Sequence, residues 1–438
     1  MEEMQKATLT INNNSIFISG YKEDTSVSNI EILSRNGTYE PWILRIFKNL
    51  ILKEHYCFDI GANIGIISII MAQLASKGKV FAFEPFPSSF EYLCHNVKQN
   101  NIDNVDTYNL ALANFNGVSE ILTVDNSYAD AQLIMEKNLA KVTNELEAGT
   151  SVYTKQSTNV RKFDDWFEEN DINKIDLLKV DIEGSEILFL EGAEQVINKF
   201  KPDLVIEFNP QTLKNCSQAT HRDLFLKLKS LYPKIYLIRR EDGHIVRLSS
   251  DAQLMGLMLT GHNVEDLYCT YRDDACIKEL EVDEYSATTY TAASISLSST
   301  MKSAFLNMYP DGWINQDRGV LIFEAGLNDI CSLVIDTYLD HINCNVYFNN
   351  ELKTVELYYG QQNTLSFHCE QGLNFVYFES DKFASARSIW NNEDPRFLSI
   401  RVFFDIQRKV SSQTKSLSSW RKLLQRIQRK LLRLFSFE

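Results

Sequence analysis

The chain has 438 residues, 44% of them apolar, and a net charge of −14. That is too long for one ordinary core, and an acidic balance of this size argues against a nucleic-acid partner, whose phosphates would meet like charge. Eight cysteines are scattered without C-x-x-C pairs or histidine partners, which disfavours a zinc site or disulfide framework and suits the reduced thiols of a cytoplasmic protein.

The N-terminus MEEMQKATLTINNN lacks a basic-then-apolar leader, and no run reaches the about eighteen apolar residues of a spanning helix. Residues 7–34 read as short strands: ATLTINNNSIFISG alternates around an asparagine turn, and NIEILSR is another brief apolar run. Tyr39-Glu40-Pro41-Trp42 then leads into ILRIFKNLIL, apolar at helical spacing, with Pro41 suited to a first helical position.

Tyr56–Gly65, YCFDIGANIG, is the stretch around which the chain is organised. A strand runs into a glycine turn, and an apolar helix opens at Ile66. Gly61 and Gly65 permit close approach of the backbone to a ligand, and the helix N-terminus offers free N–H groups. A dinucleotide turn would be G-x-G-x-x-G. Here the glycines stand four apart with Asn63 between them, and Asp59 sits on the strand end. An acid there suits a cationic amino group better than a pyrophosphate, which points to S-adenosylmethionine. A plain strand-to-helix turn is the competing reading. KVFAFEP weakens it, because Glu84 ends the next strand at about the distance from the glycines at which an acid takes ribose hydroxyls.

SSFEYLCHNVKQNNI reads as a helix and VDTYNLALAN as the third strand with its exit loop. Asn116-Gly117 signals a hairpin between ALANF and VSEILTV. Residues 126–158 read as a polar insertion beside the active site, with a helix around Gln132–Leu146, and VRKFDDWFEEN as a strand and short helix. In KIDLLKVDIEGSEILFLEG the buried strand LLKV ends at Asp181, Glu183-Gly184 turns the chain, and a helix follows. KPDLVIEFNP repeats the pattern with Glu207. Open α/β sheets bind ligands beyond the carboxyl ends of their strands. Asp59, Glu84, Asp181 and Glu207 all fall there. A helix over His221–Tyr232, strand KIYLIR, an Asp242-Gly243 hairpin into HIVRLS and a strand at LYCTYRD complete the sheet.

Composition then divides the rest: residues 1–280 form the first domain, the Ser/Thr-rich 281–300 a linker, and 301–410 an antiparallel β-sandwich of short apolar runs between Asn, Gly and Asp turns. Asn349-Asn350 is one such hairpin turn, and His341 and His368 read as isolated histidines. From Arg408 onward there are nine Lys/Arg and one acid, so the body before them carries −22. Within the 411–438 tail, in SSWRKLLQRIQRKLLRLFSFE, Trp420, Leu423, Leu424, Ile427, Leu431, Leu434 and Phe435 recur at helical spacing among six Lys/Arg. This basic amphipathic helix suits the inner face of a membrane, or alternatively a partner protein or the acidic body.

At DIGANIG, FEPFP, LKVDIEGSE and VIEFNP, with Tyr39-Glu40-Pro41 and the LCHNVKQNN helix, residues 28–280 resemble the FkbM-type family of S-adenosylmethionine-dependent methyltransferases. The resemblance implies a class I methyltransferase α/β fold: a Rossmann-like sheet of seven strands, one antiparallel, with helices on both faces. It implies O-methylation, with hydroxyls of sugars or polyketides as acceptors. By position, Asp59, Gly61, Asn63 and Gly65 take the methionine end of the cofactor, Glu84 its ribose and residues near Ala111 its adenine, and Tyr39 is a further cofactor-binding position. Asp181 and Glu183 fall between cofactor and acceptor. The sandwich, with Asp394-Pro395-Arg396-Phe397-Leu398, weakly resembles accessory modules of bacterial glycan-assembly enzymes, which points to a surface glycan or glycolipid acceptor.

A sugar hydroxyl is a poor nucleophile near neutral pH, so the site needs a base or a divalent ion. Asp181 is the first candidate for either role, with Glu183 and Glu207 as supporting carboxylates and Asp181 and Glu207 as ligands were Mg²⁺ bound. The sequence leaves base and metal open. It also leaves two functions open: a carbohydrate O-methyltransferase at the inner membrane face, or a non-catalytic cofactor-binding scaffold that recruits a glycan-assembly complex through sandwich and tail.

Overall fold

A computed structural model of the chain describes residues 5–11, 14–20, 30–124, 131–134, 153–260, 264–277, 282–283, 303–306, 313–315, 318–326, 329–337, 339–359, 361–385 and 397–407. The tail 411–438, nearly all of the linker, residues 394–396 of the Asp394–Leu398 segment, and most of the expected helix Gln132–Leu146 lie outside these residues.

The first domain is built on a nine-stranded sheet. Its order is Val282–Asp283, Ile245–Leu248, Lys234–Ile238, Glu265–Thr270, Asp203–Phe208, Leu177–Val180, Tyr56–Ile60, Lys79–Phe83, Val105–Tyr108. From Asp203–Phe208 to Val105–Tyr108 the neighbours are parallel, and Glu265–Thr270 enters antiparallel between Asp203–Phe208 and Lys234–Ile238. The expected seven strands with one reversed are therefore present, and two edge strands extend them. Strands such as Leu177–Val180 are buried throughout because helices cover both faces of the sheet. Alternation sorts the side chains. Phe58 and Ile60 join one core with Phe81, Trp166 and Phe189, whereas Cys57, Val80 and Leu177 join a second core beneath helices Pro41–Leu50 and Ile66–Leu74. Phe58 stacks on Phe81 at 4.6 Å between centroids, and Trp166 meets Phe83 edge-on at 4.7 Å.

Gln5–Ile11 and Asn14–Gly20 form the expected hairpin. NIEILSR does not add a strand; Ile30–Asn36 is a helix whose Ile30 and Leu33 are buried. Their spacing of three is helical, and so short an apolar run cannot declare its period. The hairpin is bonded to helix Pro87–Gln99. Asn96 accepts from the Ser19 amide at 2.8 Å and donates to the carbonyls of Ser19 and Ile64 at 2.9 and 2.8 Å, tying hairpin, helix and glycine turn together.

A separate four-stranded sheet runs Ala111–Leu112, Tyr153–Arg161, Gly117–Val124, Gln132–Ile134. Two expectations fail here. Gln132–Ile134 is a strand, not the start of a helix. Asn116-Gly117 does not close a hairpin, because the segments on either side both pair with Tyr153–Arg161 and not with each other. A type I′ turn needs positive φ at both central residues, and Asn116 does not have it. Its side chain instead accepts from the Lys162 amide at 2.8 Å and donates to Asp165 at 2.6 Å.

Beyond the linker, two antiparallel sheets share one core that includes Phe323, Leu333, Val346, Phe348, Phe367 and Phe378. Phe348 and Phe367, on opposite sheets, stack at 4.6 Å. Asn349, with φ +47°, makes the expected turn between His341–Phe348 and Glu351–Tyr358. The outer face of the first of these sheets is packed on the first domain: Val320, Ile322, Tyr347, Phe375 and Tyr377 belong to its larger core. His221 lies between Tyr347 and Tyr377, with ring centroids 5.2 and 5.8 Å away. Arg222 pairs with Asp251 and donates to the Asn350 carbonyl at 2.5 Å. None of the eight cysteines forms a disulfide. Among the described residues no helix is long and apolar enough to cross a membrane.

Candidate active site

The four strand-end acids converge at the carboxyl edge of the sheet. Gly61 and Ala62 donate to the Phe83 carbonyl at 3.0 and 2.9 Å, closing the first turn onto the neighbouring strand. Gly61 has φ +86°, and a Cβ on it would lie 1.8 Å from the Asp181 carbonyl oxygen. Only glycine allows these two strand ends to meet.

Glu84 is the floor of the turn. Its carboxylate accepts from the Asn63 amide at 2.7 Å and the Phe86 amide at 2.8 Å, and it is 5% exposed. Burial pushes its pKa up to about 7, against the pull of those two N–H groups. A cleft opens above it. Gly61, Asn63, Glu84, Ala111, Asp181 and Glu183 line this cleft, with Leu110, Ile121 and Leu133 as an apolar wall.

Asp59 lies below the turn, fully buried. It accepts from the Ser68 hydroxyl at 2.5 Å, its other oxygen has no partner, and burial raises its pKa. Gly65, at φ +90°, caps helix Ile66–Leu74. Neither Asp59, Gly65, Tyr39 nor Glu207 is part of the cleft lining. Tyr39 is still close enough to Asp59 and Asp181 for their charges to add to the burial that raises its phenol pKa.

Carboxylate oxygens of Asp181, Glu183 and Glu207 lie within 4.8 Å of one another. Asp181 receives a 2.5 Å hydrogen bond from the Lys179 ammonium, which is almost wholly buried. Burial opposes charge on Lys179, but Asp181, Glu40 and Asp59 outweigh it and raise its pKa. Glu207 keeps one oxygen without a partner. Desolvation first, then the charges of Asp181 and Glu183, hold its pKa well above the usual carboxylate range. Glu183 sits in the left-handed region at φ +52°, followed by Gly184 at φ +99°. Helix Pro210–Cys216 begins three residues after Glu207, with Asn209 accepting from the amides of Gln211 and Thr212 at 3.2 and 3.3 Å.

Several members of the site escape a reading of strand ends. Glu40, at φ +40°, precedes helix Pro41–Leu50, and burial raises its pKa to about 8 despite the nearby Lys179. Trp42 donates to Asp266 at 2.9 Å, and the Arg240 guanidinium lies 5.1 Å from the Trp42 ring centre. Asp266 faces Glu207 across the antiparallel pairing. The available signals were a lysine inside an otherwise apolar strand and the acid of Glu40-Pro41.

Residues 59–232 match the family model described as the methyltransferase FkbM domain. Over these residues the chain is similar to FkbM-type methyltransferase domains. Methyltransferase sdnD of Sordaria araneosa is 26% identical over 171 residues, covering 35% of this chain and 65% of the relative. The 2-O-methyltransferase NoeI of Sinorhizobium fredii is 24% identical over 157 residues, covering 35% of this chain and 63% of the relative. The chain thus spans less than two thirds of the length of these curated relatives. A crystal structure of an FkbM methyltransferase from Methylobacillus flagellatus aligns at 17% identity and a TM-score of 0.31, over 51% of this chain and 47% of that one. The FkbM domain match begins at Asp59 and takes in Glu84, Asp181, Glu183 and Glu207, so it contains the whole strand-end rim.

Proposed function

We propose that the protein is an S-adenosylmethionine-dependent O-methyltransferase acting on a sugar hydroxyl of a surface glycan or glycolipid. The observation that carries this is the placement of the Asp181–Glu183–Glu207 cluster beside a cleft floored by Glu84. Support comes from the FkbM domain match and from a relative named as a 2-O-methyltransferase.

The residues fit the cofactor. The cleft lies at the carboxyl edge of the sheet, where open α/β sheets take their ligands. Each Glu84 oxygen takes one backbone N–H and retains acceptor capacity for ribose hydroxyls. The turn Gly61–Gly65 would hold the methionine end, and Ala111 with its apolar neighbours the adenine. When bound, the cofactor supplies a methyl group activated by a sulfonium.

The remaining task for the chain is to align an acceptor oxygen and remove its proton. Glu207 fits the proton-accepting role, since it is desolvated and has an unpartnered oxygen. Asp181, fixed by Lys179, fits the orienting role, and Glu183 completes the rim. Mg²⁺ fits less well, because one Asp181 oxygen already answers the Lys179 ammonium.

The test is methyl transfer from labelled cofactor into a cell-envelope glycan extract, followed by identification of the labelled hydroxyl. Label in a glycan ether supports the reading. No cofactor binding by calorimetry would remove it in favour of the scaffold. The cytoplasmic, membrane-peripheral placement is part of the same proposal and rests on the basic 411–438 segment. Equal pelleting with anionic liposomes by the full chain and a chain lacking 411–438 would withdraw it.

A further inference from the structure

Glu186 is a buried carboxyl, 0% exposed, that the reaction proposed above does not use. It opens helix Glu186–Gly192 and turns back over the loop that precedes it. One oxygen accepts from the Ile182 amide at 3.3 Å and the Gly184 amide at 3.1 Å, the two N–H groups on either side of Glu183.

That loop needs a clamp. Glu183 is a non-glycine residue in the left-handed region, a conformation costing about 1–2 kcal/mol that persists only when its surroundings impose it. Two further contacts act with Glu186. The Cys216 thiol donates to the Glu183 carbonyl at 3.1 Å. Gly184 lies so close to helix Pro210–Cys216 that a Cβ would meet the Thr212 carbonyl at 2.2 Å. The loop is thus held from the helix that follows Asp181 and from the helix that follows Glu207, and Glu183 is presented between those two acids.

We propose that Glu186 is a positioning residue, whose carboxyl holds the Ile182–Gly184 turn so that Glu183 stays within reach of Asp181 and Glu207. This rests on the proposed methyl transfer for its kinetic consequence, but the clamp itself does not.

The experiment compares the full chain with E186Q and E186A by hydrogen exchange and by methyl transfer from labelled S-adenosylmethionine into a cell-envelope glycan extract. Glutamine keeps an acceptor oxygen of the same reach, and alanine removes it. In E186A the amides of Ile182 and Gly184 are expected to exchange about tenfold faster or more, while Asp203–Phe208 keeps its protection. The maximal rate is expected to fall about a hundredfold with the KM for the cofactor unchanged. E186Q is expected to stay near wild type in both.

Unchanged exchange at 182–184 in E186A would overturn the proposal, as would an E186Q as impaired as E186A. If E186A does not fold, E186Q decides alone: lost protection or lost rate despite the retained acceptor overturns it. A wild-type chain that transfers no methyl group defeats the methyltransferase reading, and the exchange data still decide the clamp.

Discussion

Lys179 and Asp181 are neighbours on one side of a strand end, with the ammonium 2.5 Å from a carboxylate oxygen. The lysine side chain is 5% exposed and the aspartate's 25%. A buried ammonium is costly, and this one stays charged because Asp181, Glu40 and Asp59 surround it. K179M therefore leaves three carboxyls without their cation. Stability is expected to fall by about 3 kcal/mol, the low end for a broken buried pair because Asp181 keeps some contact with water. Denaturant unfolding of the full chain checks this. A loss below about 1 kcal/mol would mean that the carboxyls accommodate the change by taking up protons.

Gly61 and Gly37 separate close packing from backbone strain. Both have positive φ, but a Cβ on Gly37 meets nothing within 4 Å, whereas on Gly61 it meets the Asp181 carbonyl at 1.8 Å. G37A is expected to cost about 1 kcal/mol, from the left-handed conformation alone. G61A must also push two strand ends apart and is expected to cost about 3 kcal/mol and to abolish cofactor binding. Calorimetric titration of both variants with S-adenosylmethionine is the check. Normal binding by G61A would remove the turn from the site.

How much of this was legible before folding depends on range. The parallel sheet was readable because Phe58, Val80, Leu178 and Val205 stand in apolar runs ended by glycine or acid, a local signal. The rim was readable for the same reason, each acid lying one step past such a run. Ile30–Asn36 failed because its two buried residues are too few to fix a period. Asn116-Gly117 failed because pairing with Tyr153–Arg161, far along the chain, overrode the local turn signal. The convergence of Glu40, Lys179 and Asp266 depends on strand order, and the packing of Tyr347 and Tyr377 onto His221 depends on two domains meeting. Lys179 stands out in its apolar strand, but which residues it and His221 meet cannot be read from their neighbours in sequence.

His221 makes that domain contact sensitive to acid. Burial, then Arg318 and Arg222, lower its pKa to about 4, against a smaller upward pull from Asp223. The folded state thus binds a proton less readily than the unfolded chain. Its contribution is complete above the ordinary histidine value of 6.5 and is lost as pH falls from there toward 4. The full loss is about 3 kcal/mol. Thermal unfolding at pH 7.5 and pH 5 is expected to show a drop for wild type and a smaller drop for H221F, whose ring still packs between Tyr347 and Tyr377. An equally steep fall in H221F would place the acid sensitivity elsewhere.

Glu207 and a metal ion make opposite claims on the acid cluster. If Glu207 takes the acceptor proton, E207Q keeps the shape of the site but cannot accept one. Methyl transfer is then expected to fall about 10²–10⁴-fold with cofactor affinity preserved. Exhaustive chelation is expected to leave the wild-type rate unchanged, because Lys179 already supplies the positive charge beside Asp181. The reverse pattern would be decisive: a rate abolished by chelator and restored by Mg²⁺ would make the three carboxylates ligands, since their oxygens lie within 4.8 Å of one another. E207Q would in that case show weakened metal dependence and not a lost base. Measuring rate against Mg²⁺ concentration in both proteins separates the two roles, because a base variant shifts the plateau and a ligand variant shifts the midpoint.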